Sequence, residues 1–271
     1  MIAVDVPRDV VQVTGPDAPA FLQGQMSQDI DTLQPFRSTW SFVLQPTGKV
    51  DCLVRVLRTA PDGFVLDTEA GFGNALVARL NRFKLRTKAD VTRLPWRCVW
   101  VFDAAPPEKH AHGWVVTGWP GHEQYAVIGD DVSPPPSAEL AEPSFYERRR
   151  VEAGWPAMGA ELDEHTIPAE AENLAATVSF TKGCYTGQEL VARIDSRGGH
   201  VPRHLRRVTA IDGNALHVGD DVEIDGRRVG VLTSAAAEIG LAYIARGVEL
   251  PETGTAGGAS VEVDVLDALG G

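Results

Sequence analysis

The chain has 271 residues, enough for a substantial core and for one or two domains. Its 37 acidic residues outweigh 25 basic ones, and the formal net charge of −12 argues against stable nucleic-acid binding and against retention on an anionic membrane. Three cysteines with no C-x-x-C pair give neither a disulfide framework nor a cysteine zinc site, so a reducing cytoplasm is the expected location. No run reaches the length of a membrane span, and the first residues carry acids and a proline rather than a secretory pattern.

Thr14-Gly15-Pro16-Asp17 reads as a turn, with Asp17 placed to cap a short helix. Pro19 falls in its first turn, and Phe21 and Leu22 face inward. The amide-rich run Gln23-Gly24-Gln25-Met26-Ser27-Gln28-Asp29 reads as a solvated helix end. Strands are expected over 40–44, 50–58 and 64–68, joined by turns at Pro46-Thr47-Gly48-Lys49 and Pro61-Asp62-Gly63. This is an antiparallel meander, with Cys52, Val54 and Val56 on one face of its middle strand. Cys52 and Cys98 are read as buried packing residues.

An amphipathic helix over 74–83 carries Leu76, Val77, Leu80 and Phe83 at helical spacing. Arg79, Arg82, Lys84, Arg86 and Lys88 form its solvated basic face. Residues 103–142 are rich in proline, glycine and acids, with short strands over 114–117 and 125–128 and a stiff Pro134-Pro135-Pro136 loop. His110 and His112 belong to that region and are expected at the surface. Ser144 and Glu147 have capping-box spacing at the start of a helix that carries Arg148, Arg149 and Arg150 and stops at Gly154. Residues 155–181 are a long, weakly periodic connection.

Lys182-Gly183-Cys184-Tyr185-Thr186-Gly187-Gln188-Glu189 packs charge, glycine and a thiol together. Thr186 and Glu189 have capping-box spacing, and the helix they open is expected over 187–195, with Leu190, Val191 and Ile194 inward and a stop at Gly198-Gly199. Cys184 then lies just ahead of a helix N-terminus, where the dipole favours a thiolate, and Lys182 adds positive charge if its side chain turns that way. A small buried apolar thiol is the plain alternative. His165 and His200 are candidates to pair with Cys184 in space.

After Pro202 the texture becomes all-β, with runs over 205–211, 221–224, 227–233, 239–244 and 260–265 and a tight Asp225-Gly226 hairpin. The expected division is 1–201, as two α+β parts, and 202–271, as a small barrel. Arg193, Arg197, Arg203, Arg206 and Arg207, with Arg148 to Arg150, suit either an anionic ligand or a salt-bridged domain seam. Neither a Rossmann fingerprint nor a P-loop is present, and no set of four cysteines exists to ligate an iron–sulfur cluster.

Residues 182–193 match Lys-Gly-Cys-[Phe/Tyr]-x-Gly-Gln-Glu-x-x-x-Arg, the signature of the YgfZ-type folate-binding proteins, at every fixed position. Gly15-Pro16-Asp17-Ala18 with Phe21-Leu22-Gln23-Gly24-Gln25, Arg150-Val151-Glu152-Ala153-Gly154 and Ile167-Pro168-Ala169-Glu170 resemble further segments of that family. The resemblance implies the α+β fold of the glycine-cleavage T-protein, an aminomethyltransferase, with antiparallel sheets and a C-terminal β-barrel. It implies a cytoplasmic protein that binds tetrahydrofolate, supports assembly or repair of iron–sulfur client proteins and is linked to tRNA modification. By the same carry-over Cys184 is the functional thiol, Arg150 contacts folate, and Lys182, Tyr185, Gln188, Glu189 and Arg193 complete the cofactor-binding set.

Two departures stand against classical aminomethyl transfer. The slot of the T-protein's catalytic aspartate holds Leu53, with Asp51 two positions away, and the slot of a pterin-contacting acid holds Ala126. Leucine cannot orient a reacting amine. A residual folate-dependent transferase using Asp51, and a docking scaffold without catalysis, are the alternatives.

Overall fold

The computed structural model describes residues 1–266. The chain opens with β1 (Ile2–Asp5), β2 (Arg8–Thr14) and α1 (Ala18–Gln23). The meander follows as β3 (Ser38–Leu44), β4 (Val50–Ala60) and β5 (Gly63–Glu69), then α2 (Gly73–Lys84) and β6 (Asp90–Leu94). Next come β7 (Arg97–Phe102), β8 (Trp114–Thr117), β9 (Gln124–Gly129), β10 (Glu139–Leu140) and α3 (Pro143–Glu152). The long connection holds a 3-10 turn (Pro168–Ala171) and α4 (Leu174–Thr177) before α5 (Gln188–Ser196). The last strands are β11 (Arg203–Ala210), β12 (Asp221–Ile224), β13 (Arg227–Ala236), β14 (Ile239–Ala245), β15 (Glu252–Ala256) and β16 (Ala259–Asp264).

These elements form two five-stranded sheets, ordered β10-β1-β7-β9-β8 and β3-β4-β5-β2-β6, and a closed barrel ordered β11-β14-β13-β12-β15-β16. All pairings are antiparallel except β1 with β10. The expected α+β class with a terminal barrel is therefore what the chain adopts. The expected region 202–271 begins one residue before β11, and its last residues, 267–271, lie outside the described ones.

β4 is buried on both faces, and this explains its nearly unbroken apolar run. Cys52, Val54 and Val56 face a core with Leu22, Leu76 and Leu80 of the flanking helices. Leu53 and Leu57 face a second core, shared with Trp100 and Phe102 of β7 and with Ala126 and Ile128 of β9. The two sheets thus pack against each other across this second core. The barrel closes over its own core of Val208, Val222, Leu232, Ala242, Val261 and Val263.

Local expectations failed where tertiary contact took over. Neither Asp17 nor Ser144 caps a helix with its side chain. Asp17 accepts the Lys88 backbone N–H instead, and α3 starts two residues earlier than a Ser144 cap would place it, at Pro143, whose missing N–H costs nothing at a helix start. β15 runs into a Gly/Ala-rich stretch, 254–259, whose short side chains give no alternation of strand type. The Asp225-Gly226 turn is made, with both residues at positive φ (52° and 69°), as a two-residue hairpin between twisted strands requires.

Candidate functional site

The signature loop is clamped to the β3–β4 turn by two glycines. Gly187 sits at φ 84°, and a Cβ there would lie 2.5 Å from the Gln45 carbonyl oxygen and 2.8 Å from Leu44 Cβ. Gly48 sits at φ 85°, and its Cβ would meet Leu190 Cβ at 2.4 Å. Each needs glycine twice over, for the left-handed backbone and for the close approach. Gly187 is therefore the N-cap of α5, and the Thr186–Glu189 capping box is not made. Thr186 turns its hydroxyl to the Gly24 carbonyl, and Glu189 pairs with Arg193 at 2.5 Å on the solvent side of α5. The glycine N-cap replaces the box because the chain must turn sharply onto the hairpin.

Lys182 does not turn toward Cys184. Its ammonium donates to the carbonyls of Gln23, Met26 and Gln28 at 2.8, 2.7 and 2.9 Å, using all three donors. Burial pushes its pKa down to about 8, with Asp29 and Asp31 opposing that shift. The amide-rich segment after α1 is thus no solvated helix end. Gln25 and Ser27 are buried, Gln23 bonds Asp29, and Gln25 accepts from Arg79. The signal available in the sequence was the density of amides, whose carbonyls and side chains suit a caged cation. Arg79 likewise leaves the expected basic face to bond Asp51 at 2.7 Å and the Leu44 carbonyl at 2.7 Å.

Cys184 is exposed, whereas Cys52 and Cys98 are buried. Burial pushes the Cys52 thiol up to about 12 and the Cys98 thiol up to about 11, so both stay protonated at neutral pH. The residue after Cys184, Tyr185, turns inward and joins the core between the two sheets. His165 stands at the surface beside Glu164, and His200 is exposed; neither makes a described contact with Cys184.

The inter-sheet core also contains a polar centre that sequence reasoning missed. Asp67 accepts from Arg8 Nε at 2.8 Å and from Arg55 Nε and Nη2 at 2.9 and 3.1 Å. Asp67 and Arg55 are fully buried and Arg8 nearly so. Although burial opposes ionisation, the two guanidiniums hold the Asp67 carboxyl below its ordinary range. Aromatic rings wall this triad. Arg55 lies over Trp40 and Trp100 at 5.3 and 5.1 Å, Trp119 packs on Trp100 at 4.5 Å, and Trp155 packs on Trp40 at 4.9 Å. Four buried donors here have no partner among the described residues: Arg8 Nη2 and the indole N–H groups of Trp100, Trp119 and Trp155. Such atoms are costly unless something accepts from them. No spacing rule in the sequence joins Arg8, Arg55 and Asp67. They meet because β2, β5 and β4 are neighbours in one sheet.

Leu53 and Ala126 are both fully buried in this same core. The two slots that hold acids in the T-protein pattern therefore hold apolar side chains turned inward, while Asp51 is paired to Arg79.

Part of the arginine cluster resolves as a seam, while Arg193 and Arg149 pair elsewhere with Glu189 and Asp103. Arg203 and Arg206 pair with Glu170 and Glu172, Arg148 pairs with Glu238, and Arg207 donates to the Glu152 carbonyl. Arg150 is buried with all five N–H donors engaged, on both Glu147 oxygens, the Trp155 carbonyl, Glu161 and Ser234. It pins α3 to the barrel strand β13 and has no donor left for a ligand. Arg150, expected from the resemblance to contact folate, thus has a structural role at this seam.

No family model matches the chain. It is 28% identical over 268 residues to the tRNA-modifying protein YgfZ of Edwardsiella ictaluri, covering 83% of this chain and 77% of that one. The Escherichia coli YgfZ is 26% identical over 254 residues. The mitochondrial iron–sulfur cluster assembly factor IBA57 homologue of Phaeosphaeria nodorum is 29% identical over 216 residues, covering 70% of this chain and about half (51%) of its own length. The fold matches a crystal structure of the glycine-cleavage aminomethyltransferase T of Bartonella henselae with a TM-score of 0.80, at 16% identity over 98% of this chain and 84% of that one.

Proposed function

We propose that this chain, a YgfZ/GcvT-like protein by its similarity to YgfZ and IBA57 and by its T-protein fold, binds a reduced folate between its two sheets and serves iron–sulfur protein assembly through Cys184. The observation that carries the reading is the division of the signature loop. Tyr185 belongs to the core that holds the aromatic–guanidinium centre, while the adjacent Cys184 faces solvent. A ligand in the interior and a client at the surface would then meet on one loop.

The chemistry of the residues at this centre would suit a folate. Its flat pterin and aminobenzoyl rings match tryptophan faces, and its carbonyl and carboxylate oxygens match the four partnerless donors. When bound, a tetrahydrofolate is a carrier of one-carbon units. On this chain's side, Arg8, Trp100, Trp119 and Trp155 would bind and orient it, and the buried walls would exclude water. Classical aminomethyl transfer is not part of the reading, because Leu53 and Ala126 provide no carboxylate and Asp67 is neutralised by two guanidiniums. A link to tRNA modification accompanies the proposal from the names of the similar YgfZ proteins, and the cytoplasmic location expected from the cysteine usage goes with it.

Two measurements test it. Trp119→Phe and Trp155→Phe keep the rings and remove one orphaned donor each, so calorimetric titration of tetrahydrofolate should show weaker binding with an unchanged fold. Absence of binding to the wild type would end the folate reading. Separately, a strain carrying Cys184→Ala should lose the activities of its iron–sulfur enzymes. Full retention of those activities would remove the thiol from the function.

A further inference from the structure

A second site lies at the rim of the inter-sheet core, on the open edge of the first sheet. A groove of about 950 Å³ runs along β8, the edge strand of the first sheet, walled by the start of β3 and by residues 106–113. Phe36 and Trp114 stack in it with centroids 5.4 Å apart and planes 15° apart. Phe36 is 59% exposed although it is a large aromatic, and its backbone is held at φ 65°. A left-handed phenylalanine is costly, and such costs are met where a side chain must be presented in one place.

The strand edge in the groove is open at one residue. The Thr117 N–H donates to Ser38 Oγ at 2.7 Å, and its carbonyl accepts from Arg55 at 2.8 Å, so the Thr117 backbone points away from β9. Alternation along an antiparallel strand turns the Val115 N–H and C=O the same way. On the far side Gly113 is bridged to His110, which closes the edge again. Between these two stops Val115 offers one donor and one acceptor, with no partner among the described residues. Nearby on β9, Gln124 lines the groove, is only 7% exposed, and its side-chain N–H₂ is also without a partner. Arg37 and Lys109 at the rim are balanced by Glu108 and Asp130, so the groove favours neither sign of charge.

We propose that this groove is a binding site for a neutral fused heterocycle with a lactam edge, as in guanine nucleosides and pterins. A lactam places a carbonyl beside an N–H, which complements one N–H and one C=O of a single strand residue. Its ring plane stacks on Phe36, with Gln124 in the groove wall. Strand addition by a peptide does not suit the site, since that mode needs a run of open edge positions.

The test is calorimetric titration of the full chain with guanosine, 1-methylguanosine and biopterin. Guanosine should bind, and 1-methylguanosine, which lacks the lactam N–H, should bind at least tenfold more weakly. Phe36→Ala removes an exposed ring and Val115→Pro removes an outward N–H that no strand partner uses, so both should fold and both should lose at least tenfold. Binding of biopterin but not guanosine would assign the site to pterins. The proposal is overturned if neither heterocycle binds the wild type at millimolar concentration, or if binding is untouched by Phe36→Ala and Val115→Pro. These variants lie outside the inter-sheet centre, so tetrahydrofolate binding there is scored separately with Trp119→Phe.

Discussion

Replacing Gly187 with alanine tests the clamp between the signature loop and the β3–β4 turn. The new methyl would lie 2.5 Å from the Gln45 carbonyl oxygen and 3.1 Å from Gly48 Cα, both backbone atoms that cannot rotate away. Holding alanine in the left-handed region costs about 1–2 kcal/mol. Forcing a methyl group into a closed contact costs about 1–3 kcal/mol more. The expected loss is therefore roughly 2–5 kcal/mol, a large fraction of the ordinary stability of a domain. Gly183→Ala is the control in the same loop, because nothing lies within 4 Å of its would-be Cβ and its φ is not positive. It should stay within about 0.5 kcal/mol of the wild type. Urea denaturation by linear extrapolation reads both, and the rate of Cys184 alkylation reports whether the loop lifts off the turn. Equal stabilities for the two variants, or a loss below about 1 kcal/mol in Gly187→Ala, would refute the clamp.

Other outcomes follow from the buried charges. Arg150→Met should cost about 3–5 kcal/mol by leaving Glu161 uncompensated, and adding Glu161→Gln should recover part of it in a double-mutant cycle. Asp67 has its carboxyl pKa lowered in the fold, so its stabilisation is present above the ordinary aspartate range and is lost as pH falls through the folded value. Asp67→Asn should therefore flatten the acid limb of a stability–pH curve, and an unchanged limb would count against the triad. Lys182 is lowered to about 8, so its burial costs stability while it is charged, and that cost fades as pH rises from about 8 towards the ordinary lysine value. Side-chain NMR should find a Lys182 midpoint near 8, and a midpoint at the ordinary lysine value would count against the burial that lowers it.

The sequence by itself determined most of the local architecture. Apolar alternation in the meander, helical spacing over the second helix and the Asp225-Gly226 turn each arise from neighbours a few residues apart, which periodicity reads directly. The signature loop also stood out, because glycine, thiol and charge are contiguous in residues 182–189. Only the tertiary structure decided what those residues do. Lys182 found three carbonyls more than 150 positions away in the chain, and Gly187 took the cap because Gln45 left no room for a side chain. Arg150 was spent on the barrel seam, and Arg8, Arg55 and Asp67 met only when three strands paired. Side-chain polarity tells that a charge needs a partner, but sheet order and packing choose which partner it gets, and that choice is not written within any local stretch.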